Sequence, residues 1–142
     1  MNLCVCMITY NHEDFIREAI ESVLKQETNF PFRLVIGEDA GTDNTRDICE
    51  EMALKHPGKI LLLPYQQNLG MMKNFLRTYN KCDGDYIAFL EGDDYWTDNK
   101  KLQKQVSKRV QTTGLKYLLF QNCPFEDPYE ASILYFRCSF PF

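Results

Sequence analysis

The chain has 142 residues, a net charge of −4, 44% hydrophobic residues and only 7 glycines and 6 prolines. Its 38 Leu, Ile, Val and Phe residues, about a quarter of the chain, lie above the level of disordered sequences and supply one core. The composition excludes collagen-like and low-complexity chains, the longest apolar runs are far short of a membrane span, and mild acidity offers no basic field for nucleic acid.

Leu3–Thr9 is a continuous apolar run, the pattern of a strand buried on both faces. Asn11 follows as a helix cap, with Asp14 three residues on, and Phe15, Ile16, Ala19, Ile20, Val23 and Leu24 recur at helical spacing. Phe32–Gly37 is the second strand and runs into Glu38-Asp39. Thr42 or Asp43 caps the next helix, whose stripe is Ile48, Cys49, Met52 and Ala53, and His56-Pro57-Gly58 stops it. Lys59–Leu63 is the third strand. After the turn Asn68-Leu69-Gly70, Met71–Lys81 reads as a helix with Met72, Phe75, Leu76 and Tyr79 inward. Asp85–Leu90 is the fourth strand, Glu91-Gly92-Asp93-Asp94 follows at once, and Lys101–Val110 is a further helix.

Short strands alternating with helices predict an α/β, mostly parallel sheet with helices on both faces. Ligands of such sheets bind beyond the carboxyl ends of the strands, where this chain carries its polar clusters. Beyond Val106 the character changes: residues 107–142 hold eight of the 19 aromatics and little periodicity. Residues 1–106 therefore form the expected domain, and 107–142 an aromatic tail with short strands at Tyr117–Phe120 and Ile133–Phe136.

Glu91, Asp93 and Asp94 repel one another at a strand end. Either they form a solvated acidic turn capping the next helix, or a hard divalent cation sits among them with phosphate and water as its other ligands. Glu38-Asp39 faces the same crevice, or serves the following helix N-terminus. Phosphate-loop, nucleophile-elbow and zinc-protease motifs are absent. His56 reads as a surface residue, and His12, in the first turn of the first helix near the crevice mouth, as structural or incidental. The six cysteines form no CxxC, which predicts reduced thiols in a cytosolic protein. Met1–Tyr10 lacks the basic start of a secretory signal.

Four stretches in order carry a resemblance: Met7–Asn11, Val35–Thr45, Asn68–Gly70 and Asp85–Asp94. On these, residues 1–106 resemble the nucleotide-binding half of family 2 glycosyltransferases, a Rossmann-like GT-A fold, with the acceptor half incomplete. The resemblance implies that Thr9, Tyr10 and Asn11 wall the base side of a nucleotide pocket, that Asp39 reads base or ribose, and that Asn68 and Gly70 flank the nucleotide. It places Asp93, with Asp94 and Glu91, at the DxD-type motif that holds Mg2+ or Mn2+ and the donor diphosphate. Glu91 stands where Asp is usual, and Glu38 and Ala40 depart from the commoner Asp-Asp-Gly. The implied reaction is metal-assisted, inverting transfer from a UDP-sugar to a glycan or lipid-linked acceptor. The implied location is cytoplasmic, at the inner membrane face, with no membrane span and no nucleic-acid partner. Glu126 and Asp127 do not match the family's acceptor region, so no catalytic base is assigned. The alternative is a non-catalytic nucleotide-sugar-binding fragment, its acceptor half lost near Ser107. A receiver-like domain wants acids after the first strand and finds Thr9-Tyr10-Asn11 instead.

Overall fold

The computed structural model describes residues 2–109 and 117–119. Its elements run β1 (Leu3–Thr9), α1 (Ile16–Leu24), β2 (Phe32–Glu38), α2 (Thr45–Lys55), β3 (Ile60–Leu62), α3 (Met71–Tyr79), β4 (Tyr86–Glu91), α4 (Lys101–Arg109) and β5 (Tyr117–Leu119). The strands make one sheet in the order β3-β2-β1-β4-β5, parallel at each pairing. The alternating β-α order foretold this: a parallel neighbour cannot be reached by a tight turn, so a helix must intervene. α4 runs past the boundary expected at residue 106, and the expected strand at Tyr117 pairs with β4. The stretch Ile133–Phe136 and the acids Glu126 and Asp127 lie outside the described residues.

Alternate residues of each strand serve opposite faces. Leu3, Val5, Met7, Leu34, Ile36, Ala88 and Leu90 pack with α1, α2 and α4. Cys4, Cys6, Val35 and Ile87 turn to the other face, towards Tyr79 and Cys82. The described cysteines Cys4, Cys6, Cys49 and Cys82 are free and buried, and burial pushes the Cys49 thiol up to about 12. Arg17 grips Glu51 with two guanidinium nitrogens, at 2.6 and 3.3 Å, tying α1 to α2.

Two local expectations are corrected. Asn11 does not cap α1, which starts at Ile16 without a side-chain cap. Instead, the loops after β1 and β2 hold each other. Asn11 Oδ1 accepts from Thr42 N (2.7 Å), Glu13 Oε2 from Asn44 N (2.9 Å), and Thr45 Oγ1 from His12 N (2.7 Å).

The inward face of α3 also differs. Met72 and Leu76 are 63% and 50% exposed, whereas Asn74 and Thr78 are buried. The cause is Gly37: its bare Cα lets α3 descend until Thr78 and Asn74 fill the space a Cβ would take. Close backbone approach thus outweighs the apolar stripe, and the small polar residues that go inward satisfy their donors, while Asn74 Oδ1 stays buried without a hydrogen-bond partner. Asn74 Nδ2 donates to Gly37 O (2.7 Å) and Thr78 Oγ1 to Asn74 O (2.7 Å). Tyr79 still stacks with Phe75 and with Phe89 of β4, and Phe75 meets Phe89 at a tilt.

Candidate functional site

The chain order reverses at β1, which lies between β2 and β4. Beyond the carboxyl ends of these three strands opens a cleft of about 450 Å3, lined by residues including Thr9, Tyr10, His12, Asp39, Asn74 and Asp93. Its position is the one that open parallel sheets reserve for ligands, because the loops diverge where the winding direction changes.

Asp39 leaves β2 buried, with its N–H on Thr9 O (3.1 Å). Its carboxylate accepts from Leu69 N (2.8 Å) and Gly70 N (2.9 Å), and its carbonyl from Asn68 Nδ2 (2.9 Å). Asp39 therefore shapes the turn that enters α3. Each carboxylate oxygen keeps a second lone pair for a ligand N–H or hydroxyl. Its neighbour Glu38 is equally buried but does not line the cleft. Glu38 Oε1 accepts from Gly41 N (2.6 Å) and so braces the loop from below.

Ala40 follows them at φ 56°, where a Cβ crowds the following carbonyl. Ala40→Gly is expected to raise stability by about 0.5–1 kcal/mol, the strain relieved less the larger unfolded-state entropy of glycine. Urea denaturation checks it.

At the end of β4, Gly92 N donates to Ile8 O (2.9 Å). A Cβ on Gly92 would lie 2.3 Å from Thr9 Oγ1, so only glycine lets this turn lie across Thr9. The turn sends Glu91 and Asp93 to the cleft, both exposed. The segment behind them is pinned to α1. Ser22 Oγ accepts from Trp96 N (3.1 Å), and Gln26 bonds Asp98 O (2.8 Å) and Leu102 N (3.1 Å).

The structure brings Thr9, Tyr10, Asp39, Asn68, Gly70, Glu91 and Asp93 to one cleft. Asn11 and Asp94 do not line it: Asn11 ties the two loops, and Asp94 N closes the turn on Glu91 O (3.2 Å). His12, which the sequence places near the crevice mouth in a structural role, lines it, and so does Asn74, which the sequence does not single out. His12 lies one turn beyond Thr9, a spacing that could have flagged it. For Asn74, only the notch at Gly37 decides the matter.

Among the described residues no group of three or more His, Cys, Asp or Glu side chains converges as a metal cage. The lining instead offers hard carboxylate oxygens at one end and no Lys or Arg. That donor set suits a Mg2+- or Mn2+-type cation that takes one or two carboxylates and completes its shell from phosphate and water.

The family model described as Glycosyl transferase family 2 matches residues 4–114. The chain is 41% identical over 104 residues to the uncharacterized protein Rv1520 of Mycobacterium tuberculosis, covering 73% of this chain and 30% of that one. It is 39% identical over 98 residues to the dTDP-rhamnosyl transferase RfbG of Shigella flexneri, covering 66% and 34% respectively. Among solved structures it is similar to S. aureus TarS 1–349 in complex with UDP, at TM-score 0.64 and 28% identity, covering 75% of this chain and 31% of that one. The chain thus spans about a third of the length of these relatives.

Proposed function

The chain belongs to glycosyl transferase family 2, and on that premise we propose that its cleft binds the nucleotide-sugar donor, a UDP-sugar, together with Mg2+ or Mn2+. The observation that carries this reading is the lining: carboxylates from β2 and β4 meet in one cleft without any Lys or Arg among its described residues. A bare diphosphate would be repelled there, and a divalent cation reverses the sign. The volume, about 450 Å3, falls within the range of small-molecule sites. The likeness to TarS, whose structure holds UDP, supports a uracil nucleotide. RfbG, a dTDP-rhamnosyl transferase, makes dTDP the natural comparison.

In this reading Thr9, Tyr10 and Asp39 hold the nucleoside, with Asn68 and Gly70 shaping its wall. Asp93 and Glu91 hold the cation. When bound, the cation stabilises the negative charge that grows on the leaving diphosphate. The acceptor is a glycan or lipid-linked glycan, met at the cytoplasmic face of a membrane. Among the described residues no helix is long and apolar enough to cross one.

Inverting transfer also needs a base for the acceptor hydroxyl. Asp98, the one acid after Asp94 among the described residues, is engaged by Lys104 Nζ (2.7 Å) and Lys100 N (2.9 Å). We therefore assign donor binding, rather than efficient transfer, to this part of the chain.

Titration calorimetry with UDP and dTDP tests the proposal. Binding is expected with Mn2+ and is expected to fall sharply in EDTA, to a weak residual affinity. Equal affinity in both conditions would remove the metal from the account, and no binding in either would remove the donor. Steady UDP release from a UDP-sugar that rises with added lipid-linked acceptor would show that transfer is efficient after all.

A further inference from the structure

His12 lines the cleft and has no part in the reading so far. Its backbone N–H is anchored on Thr45 Oγ1 at 2.7 Å. Its ring stands beside Gly92, where a Cβ would lie 3.1 Å from Nδ1. The two ring nitrogens face different groups: Nδ1 is 3.2 Å from Thr9 Oγ1 and Nε2 is 3.9 Å from Asp93 Oδ2.

These neighbours select the tautomer. An ionised carboxylate only accepts, so the ring proton belongs on Nε2, facing Asp93. Nδ1 then accepts from the Thr9 hydroxyl, which can serve as donor. The Nε2–Asp93 separation is too long for a hydrogen bond, so the Nε2–H is directed at the acidic end of the cleft without being consumed there. With no Lys or Arg among the described lining residues, this N–H is the fixed donor beside Asp93.

We propose that His12 is a donor-binding residue whose Nε2–H hydrogen-bonds a phosphate oxygen of the nucleoside diphosphate, with Thr9 holding the ring in the required tautomer. The assignment rests on the donor reading above and adds to it a protein group that recognises the diphosphate directly.

The test compares wild type, His12→Ala and His12→Gln at fixed Mn2+, with UDP and with uridine, by calorimetry and ligand-observed NMR. His12→Ala is expected to weaken UDP about tenfold, the loss of one hydrogen bond to a charged oxygen, and to leave uridine unchanged. His12→Gln, which keeps an N–H at similar reach, is expected to recover most of the UDP affinity. If His12→Ala leaves UDP binding unchanged, or weakens UDP and uridine alike, the assignment is overturned while the donor reading stands. Failure of wild type to bind UDP with Mn2+ overturns both.

Discussion

Asp93→Asn is expected to lower UDP affinity in Mn2+ at least about 100-fold, since even groups one step behind a metal's ligands cost 10–100-fold when removed. The substitution keeps shape and removes charge. Asp93 is half exposed, with 45% of its side chain accessible, and His12 Nε2 lies 3.9 Å from its carboxylate. No buried partner is orphaned, so stability is expected to stay within about 0.5 kcal/mol of wild type. The opposite sign is expected in EDTA. There the Asp93 carboxylate only repels the diphosphate, so Asp93→Asn binds UDP as well as wild type or better. Calorimetry under both conditions reads this crossover. A loss of equal size in EDTA would mean that Asp93 holds the cleft's shape and not a cation.

Gly37→Ala is expected to be the most damaging single methyl in the sheet. The added Cβ would lie 1.8 Å from Thr78 Oγ1, 2.9 Å from Asn74 Oδ1 and 3.1 Å from Thr78 Cβ. These atoms belong to short, buried side chains whose hydrogen bonds, Asn74 Nδ2 to Gly37 O and Thr78 Oγ1 to Asn74 O, hold them in place. Either α3 lifts from β2 or the strand shifts in its ladder, and overpacking of this kind costs about 1–3 kcal/mol or more. The Asn74–Gly37 hydrogen bond at 2.7 Å is strained with it. Because α3 brings Gly70, Met71 and Asn74 to the cleft, donor binding is expected to weaken along with stability. Urea denaturation reads the first effect. Thr78→Ala in the same chain removes the nearest atom, so the double variant is expected to recover part of the loss, a coupling that independent sites do not show. An unchanged unfolding midpoint for Gly37→Ala would mean that α3 does not approach the sheet this closely.

Much of this was legible in the amino-acid order. The apolar runs at Leu3–Ile8 and Leu34–Ile36 mark strands covered on both sides, and the helix between them forced parallel pairing. The acids at the ends of the second and fourth strands had to lie at one end of that sheet, so the chain order alone sets Asp39 and Asp93 towards a common cleft. These features are local, written in periodicity and in the rule that parallel strands expose the same ends.

Tertiary structure decided what depends on distance between elements far apart in sequence. Nothing around Asn11 shows that its side chain will reach Thr42 rather than cap its own helix. That exchange exists only because β1 and β2 are adjacent. The hydrophobic stripe of α3 points to Met72 and Leu76 as core, yet the missing side chain of Gly37, more than thirty residues earlier, turns Asn74 and Thr78 inward instead. The sequence reads His12 as structural or incidental because, apart from its spacing from Thr9, nothing in the chain order shows what its ring will face. Its two ring nitrogens acquire a purpose only when Gly92, closing over Thr9, brings the end of β4 and Asp93 alongside.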